Sequence, residues 1–553
     1  MDRASYVGGA SVQPLFGRTI GAQVDRMAVE HGDREAVVSV QQGLRFTYAE
    51  LRDGADRVAR ALMALGVRAG DRVGIWSPNN AEWVLTQYGA AKAGAILVNV
   101  NPAYKTQELR YILDRSGVSV LIAARRFRAA DYVAMLEEVR PALPGLREAI
   151  LLGDAPEPWA TPWEGFLARA EEVSPDALRE RETGLDFDDP INIQYTSGTT
   201  GVPKGATLSH HNILNNGFFV GERERLGPED RICVPVPFYH CFGMVLGNLA
   251  ALTHGSCIVI PGESFDAGAC LAAVQDERCS ALYGVPTMFI AELEHAEFDA
   301  FDLSTLRTGI MAGSPCPIEV MKQVIDRMHM REVTICYGMT ETSPVSFQSL
   351  PDDDLDRRVS TVGAIHPHVE AKVIDPSTGR TLPRGEPGEL CTRGYPVMLG
   401  FWNDPNATRE AIDRARWMHT GDLAVMRDDG YVNIVGRIKD MVIRGGENIY
   451  PREVEEFLLT HPKVVDAQVI GVPDEKYGEE LCAWVRAKAG AELSGEELRI
   501  YCKGKIATYK IPRYVRVVDD FPMTVTGKIQ KFRMREISIR ELGLEKAAAS
   551  RTA

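Results

Sequence analysis

Thr196-Ser197-Gly198-Thr199-Thr200-Gly201-Val202-Pro203-Lys204-Gly205 sets two glycines and four hydroxyl side chains ahead of one lysine. Backbone N–H groups unobstructed by side chains form an anion-binding concavity, hydroxyls add donors, and a lysine adds a point charge. The guest that suits such a loop is a magnesium-bound triphosphate. Just upstream, Ile191 and Ile193 precede Tyr195 and predict a buried strand feeding the loop. That setting argues against a flexible Gly/Ser linker. A Walker A loop is excluded, because counting from Gly198 puts Pro203 at the second glycine and Gly205 at the hydroxyl position.

Outward from the loop, residues 47–150 alternate helical and strand patterns and predict an α/β, doubly wound sheet. Thr47 caps a helix over Tyr48 to Leu65, Arg72 to Trp76 reads as a short buried strand, Glu82 to Ala93 as helix and Ile96 to Val100 as strand. A helix around Leu109 to Asp114 and a strand Val118 to Ala123 repeat the unit. Asp154 to Trp163, rich in Pro, Ala and acidic residues, reads as a surface loop. The clearer boundary follows the strand-like Tyr431 to Val435, where the charged segment Gly436 to Asp440 precedes a new pattern: helix Arg452 to Leu459, then strands Val464 to Val472 and Cys482 to Arg486. The expected domains are therefore 1–436 and 437–553, with a frayed tail from Glu545 to Ala553.

A chain of 553 residues exceeds one ordinary core, which agrees with that division. Its 62 basic and 76 acidic residues give a net charge of −14, which excludes a general nucleic-acid or membrane-surface role and makes any phosphate site local. From Arg437 onward 21 basic residues face 18 acidic ones, against 41 and 58 upstream, so an anionic partner has a comparatively favourable surface there. Ten cysteines without a Cys-x-x-Cys pair, and no His cluster at zinc spacing, indicate neither a metal site nor a disulfide framework and suit a reducing cytoplasm. No signal-peptide core and no run of about 18 apolar residues is present, so neither export nor a membrane span is expected.

The stretch Tyr195 to Asn212, YTSGTTGVPKGATLSHHN, resembles the phosphate-binding loop of the adenylate-forming superfamily of acyl-CoA synthetases, peptide-synthetase adenylation domains and firefly-type luciferases. Tyr337-Gly338-Met339-Thr340-Glu341, Thr420-Gly421-Asp422, Gly436-Arg437, Arg444-Gly445-Gly446-Glu447-Asn448 and Pro522-Met523-Thr524-Val525-Thr526-Gly527-Lys528 follow in that superfamily's order. The resemblance spans nearly the whole chain. It implies a large N-terminal adenylate-forming domain and a small, mobile α+β C-terminal domain, with ATP, Mg²⁺ and CoA as cofactors.

The resemblance also implies residue roles. Thr196, Ser197, Gly198, Thr199, Thr200, Gly201 and Lys204 would hold the phosphates. Glu341, with Thr196, would bind Mg²⁺, Thr340 would touch the α-phosphate and Tyr337 with Gly338 would border adenine. Gly313 matches the adenine floor, although Ala312 replaces a glycine before it. Asp422 is placed to accept from the ribose hydroxyls, and Arg437 to help hold that sugar. Read singly, each has a plain alternative: Asp422 as a turn residue, Arg437 in a surface ion pair, Glu341 on a solvated loop. Lys528 alone would be a surface lysine; in the superfamily the matching lysine bridges the acyl carboxylate and the α-phosphate during adenylation. Lys439 falls at the superfamily's hinge, whose rotation would exchange Lys528 for a CoA-binding face carrying Gly445 and Gly446, with Tyr477, Lys510 and Arg513 as weaker candidates.

His240 lies between aromatics in Pro237 to Met244, where a packed core histidine is the ordinary reading; the resemblance moves it to the junction of acyl group and α-phosphate. The substrate carboxylate is already ionised, so positioning rather than base catalysis is its expected role. Phe238, Phe242, Met244, Tyr283 and Val285 are expected to line the acyl pocket. The absence of an acidic residue early in that first segment disfavours amino acids. Met244, a flexible residue, stands where some long-chain enzymes carry a gating tryptophan. Tyr283 to Phe289, Arg437 to Pro451 and Cys502 to Ile506 look most like medium-chain fatty acyl-CoA synthetases. The expected partners are thus a small carboxylic acid, ATP and CoA, with a homodimer left open. Aryl- or long-chain ligases, loading of a free carrier protein, and luciferase-type oxygenation share the nucleotide motifs.

Overall fold

The computed structural model describes residues 3–154, 157–196, 203–313, 316–445, 447–488, 490–523 and 529–549. They form two compact units, one of Val7–Ala371 with Thr392–Met418 and one of Met1–Tyr6, Lys372–Cys391 and His419–Ala553. The expected boundary at 436/437 falls within the second.

The first unit is built on two large sheets. One runs, in spatial order, Thr161–Pro162, Glu148–Leu151, Val118–Ala123, Arg72–Trp76, Ile96–Asn99, Pro190–Thr196, Lys204–Ser209 and Gly400–Phe401. Its strands are parallel up to Pro190–Thr196, after which two antiparallel strands complete it. The other runs Ala364–Ile365, Val345–Gln348, Glu332–Gly338, Thr308–Ala312, Ala281–Gly284, Arg231–Cys233, Cys257–Ile260, Glu35–Ser39 and Leu44–Thr47, with a parallel centre. Helices cover these strands, so their Val- and Ile-rich runs are buried on both faces, as parallel sheets require.

The helices start where the sequence directs. Thr47 and Glu50 form a reciprocal capping box at the head of Tyr48–Ala64. Ala81–Ala93, capped by Asn80, is buried on nearly every side. Even its Lys92 is only 1% exposed, with ion pairs to Asp25, Asp56 and Glu182 at 2.6, 2.9 and 2.9 Å. This helix meets the segment Phe242–Leu249, wound as a π-helix, through Tyr88 Oη to Asn248 O at 3.0 Å and Asn248 Nδ2 to Gln87 Oε1 at 2.8 Å. The wider π-helical winding is rare and recurs at functional sites.

In the second unit Gly478–Ala487 is flanked by Val464–Asp474 and Val442–Arg444, and pairs in parallel with Tyr514–Val517. Pro451–Leu459 and Gly495–Cys502 supply Val454, Leu458, Leu498 and Cys502 to its core. The hairpin of Met418–Met426 and Val432–Arg437 belongs to a separate five-stranded sheet, in which Met418–Met426 pairs with Pro387–Gly394. Two expectations need correction. Thr161–Pro162 is an edge strand and buried Trp163 opens the helix Trp163–Ala168, because the apolar Trp163 and Phe166 seek the core despite their polar surroundings in sequence. The tail is helical over Glu545–Ala549, continuing after the Gly543 turn.

Candidate active site

The strand Pro190–Thr196 delivers Thr196 to its end, opposite Lys204 on the return strand. There the Thr196 hydroxyl donates to Glu341 Oε1 at 3.2 Å. Glu341 is 7% exposed and sits on the short 3₁₀ turn Thr340–Thr342, which follows the strand Glu332–Gly338. That turn is pinned: Thr342 Oγ1 donates to the carbonyls of Met339 and Pro344 at 3.0 and 2.9 Å, and the Glu341 carbonyl accepts from Met398 N at 2.9 Å. Lys204 Nζ lies 5.4 Å from the Phe401 ring centre. Thus Thr196, Lys204, Thr340 and Glu341 share one region, at the ends of strands in an α/β fold, where such folds place ligands. Ser197, Gly198, Thr199, Thr200 and Gly201 lie outside the described residues.

Gly313 follows the strand Thr308–Ala312 at φ +90°, and a Cβ there would lie 3.1 Å from Val285 Cγ1. Ala312 is accommodated within that strand, paired with Cys336. Gly338 is a steric necessity: a Cβ would fall 1.7 Å from Pro344 O of the hairpin partner. Tyr337 is half-buried, edge-on to Phe347 at 6.3 Å.

The half-buried His240 accepts from Phe242 N on Nδ1 at 3.2 Å, which assigns the ring proton to Nε2. Of the expected acyl residues, Phe238 is fully buried against Trp83, with ring centres 5.5 Å apart. Phe242 approaches Tyr283 at 6.1 Å, and Val285 is half-buried. The Met244 sulfur accepts from Asn99 Nδ2 at 3.5 Å and Gln194 Nε2 at 3.7 Å. Tyr283 Oη donates to Glu224 Oε2 at 2.6 Å, and burial pushes the Glu224 carboxyl up to about 8.

In the second unit, Asp422 and Arg437 face each other across the hairpin, with Arg437 Nε donating to Asp422 Oδ1 at 2.9 Å. Asp422 is 7% exposed, whereas the Arg437 side chain is 64% exposed. Thr420 Oγ1 donates to Leu390 O at 2.7 Å, Asp422 N donates to Thr420 Oγ1 at 3.1 Å, and Gly421 takes φ +69°. Lys439 is exposed in the turn between Val432–Arg437 and Val442–Arg444. Gly445 N donates to Tyr477 O at 2.8 Å, and Arg444 stacks over the Tyr477 ring at 4.1 Å. Lys510 pairs with Glu453 and Arg513 with Asp474, which ties both side chains to their own unit. Gly446 and Lys528 lie outside the described residues.

Sequence reasoning missed the polar residues of the strand Pro190–Thr196. Asn192 Nδ2 donates to Leu97 O and Asn99 Oδ1 at 2.9 and 3.0 Å, and Gln194 Oε1 accepts from the Cys241 thiol at 3.1 Å. Their signal was the alternation Ile191, Asn192, Ile193, Gln194, which ordinarily marks a solvent face.

The chain matches the family model described as AMP-binding enzyme over residues 24–402, and that described as AMP-binding enzyme C-terminal domain over residues 453–528. YngI of Bacillus subtilis, a provisionally named acyl-CoA synthetase, is 49% identical over 543 residues, covering 96% of this chain and 99% of YngI. The mitochondrial medium-chain acyl-CoA ligase ACSF2 of Danio rerio is 46% identical over 554 residues, covering 98% of this chain and 91% of the relative. Among solved structures, the anthranilate CoA ligase AuaEII in complex with anthranoyl-AMP superposes with a TM-score of 0.81 at 28% identity, covering 95% and 98% of the two chains. A Mycobacterium tuberculosis fatty acyl CoA synthetase gives 0.72 at 29% identity, covering 94% and 98%.

Proposed function

This chain belongs to the AMP-binding enzyme family, and we infer that it is an ATP-dependent, AMP-forming acyl-CoA ligase acting on a medium-chain fatty acid. The observation that carries the reading is the contact of Thr196 with Glu341, where the phosphate-loop strand meets the Tyr337 to Glu341 turn. A carboxylate oxygen of the acid attacks the α-phosphorus of ATP and pyrophosphate leaves. The CoA sulfur, as thiolate, then attacks the acyl carbonyl and AMP leaves, carrying the electron pair of the broken C–O bond.

The hydroxyl of Thr196 and the carboxylate of Glu341 are hard oxygen donors of the kind Mg²⁺ takes, so these residues fit that ion. When bound, Mg²⁺ supplies charge neutralisation to the departing phosphates. Lys204 adds a second positive charge at the strand end. His240, with its proton on Nε2, donates to the acid's carboxylate and orients it for in-line attack. Asp422 accepts from the ribose hydroxyls, held in place by Arg437. The apolar Phe242, Met244 and Val285 receive the alkyl chain. Phe242 lies against Tyr283, whose hydroxyl is bonded to the buried Glu224, and the apolar character of these side chains supports a simple monocarboxylic acid.

Lys528 is assigned the transition-state charge of adenylation, and Lys439 the hinge between segments 1–436 and 437–553 that alternates the two half-reactions. Gly445, Gly446 and Tyr477 form the proposed thiol-side face. The same reading places the enzyme in the cytoplasm; among the described residues no helix is long and apolar enough to cross a membrane. Lys528→Ala should lower acid-dependent pyrophosphate release by ~10²-fold or more while ATP binding persists. Normal turnover by that variant would refute its role, and release of ADP in place of AMP would refute the reaction.

A further inference from the structure

The strand Pro387–Gly394 carries Glu389 and Cys391 two residues apart, so both side chains leave the same face of the sheet. His419 reaches them from Met418–Met426, the neighbouring strand. Its Nδ1 lies 2.9 Å from Glu389 Oε2 and 3.7 Å from Cys391 Sγ, and the three donor atoms all fall within 4.8 Å of one another. A tetrahedron around one ion with metal–ligand bonds of about 2.0–2.3 Å has edges of about 3.3–3.8 Å, so the His419–Cys391 separation fits and the His419–Glu389 pair opens by a few tenths of an ångström to admit the ion.

The geometry points to Glu389, Cys391 and His419 as a three-ligand site for zinc or another borderline-soft divalent ion, adjoining the Thr420-Gly421-Asp422 turn. Sulfur, imidazole nitrogen and one carboxylate oxygen form a set that selects Zn²⁺ over Mg²⁺. The carboxylate is held at both oxygens: Glu389 Oε1 accepts from Gly421 N at 3.2 Å, and Oε2 pairs with His419 Nδ1 at 2.9 Å, a contact that an ion bound between them would replace. Glu389 and Cys391 are buried, whereas the His419 side chain is 30% exposed and gives the ion a path in and solvent a place as fourth ligand. Binding releases the Cys391 thiol proton to solvent and takes His419 as neutral imidazole.

The same carboxylate holds the Gly421 amide in the Thr420-Gly421-Asp422 turn. Occupancy therefore staples the strand of Glu389 to that turn, and the bound form gains thermal stability by mass action.

The test uses the full chain, stripped with a chelator and titrated with Zn²⁺ by calorimetry and with Co²⁺ by absorption. The wild type should bind one ion at this triad, raise its Tm with Zn²⁺, and show a near-ultraviolet thiolate-to-cobalt charge-transfer band. Cys391→Ser should lose that band, and His419→Gln should bind Zn²⁺ at least about tenfold more weakly. Retention of the band and of wild-type affinity by Cys391→Ser would overturn the site. Because Cys391 is wholly buried and its variant can fail to fold, Glu389→Gln, which keeps an oxygen for Gly421 N, supplies the second arm. A tenfold or greater loss of Zn²⁺ affinity supports the site; unchanged affinity removes Glu389 from it and overturns it.

Discussion

Replacing Thr196 by valine keeps a β-branched side chain at the end of its strand and deletes the hydroxyl that donates to Glu341 at 3.2 Å. A hydrogen bond to a charged group contributes about 1.5–3 kcal/mol. If the hydroxyl aims the Glu341 carboxylate at the magnesium triphosphate, that energy is lost from the transition state. At 1.36 kcal/mol per decade, kcat/KM for ATP should fall roughly 10- to 150-fold. The apparent Mg²⁺ requirement should rise with it, since the donor set is the thing weakened. Stability should change little, because Thr196 is half-buried and the strand pairing is untouched. The assay is continuous pyrophosphate release over an ATP series at several Mg²⁺ concentrations, with Tm as the folding control. Thr196→Ser, which restores the hydroxyl, should recover most of the loss. Activity of Thr196→Val within about twofold of wild type across the Mg²⁺ series would refute the reasoning.

Three further substitutions separate chemistry from stability. Asp422→Asn should raise the KM for ATP by an order of magnitude or more with little change in Tm, because its partner Arg437 is largely exposed and that ion pair adds little to folding; an unchanged KM would remove Asp422 from the ribose. Lys92→Met removes the cation shared by Asp25, Asp56 and Glu182, whose side chains are 44, 36 and 19% exposed, and should cost about 1.5–3 kcal/mol by urea denaturation; a loss below about 1 kcal/mol would show that the cluster is neutralised another way. The Glu224 carboxyl is raised by burial from its ordinary value to about 8, so the folded state binds the extra proton. Its stabilisation is full below the unfolded value and drains as pH rises through about 8. Glu224→Gln, which cannot ionise, should therefore gain stability relative to wild type between pH ~5.5 and ~8.5, and an unchanged difference would contradict the burial argument.

Much of the fold could be read from the residues because local signals agreed with the tertiary result. Arg72–Trp76 and Val118–Ala123 are strands over the expected residues, and Thr47 caps its helix. The motif order put Thr196 and Glu341, 145 positions apart, in one expected site, and within the first unit the two do meet. What stayed illegible depends on covering layers. Asn192 and Gln194 alternate with isoleucines as if facing water, yet buried neighbours bond the Asn192 amide nitrogen, through Leu97 and Asn99, and the Gln194 amide, through Cys241 and Met244. Lys92 reads as a surface residue until the carboxylates from three other segments close on it. The pairing of Tyr283 with Glu224, and of Glu389 and Cys391 with His419, comes from strand and helix neighbours distant in sequence, which spacing rules written for local motifs do not detect. The π-helical winding of Phe242–Leu249 likewise follows from packing, including the close approach of Gly243 to Pro237 O, where a Cβ would sit at 2.5 Å.

The most direct measurement of the proposed activity is product release from ATP·Mg²⁺ over straight-chain, aromatic and amino-acid carboxylates, each with and without CoA. AMP and pyrophosphate in equal amounts, with CoA-dependent turnover peaking at medium straight chains, is the expected result. Formation of ADP and phosphate, or adenylation that CoA does not accelerate, would contradict it.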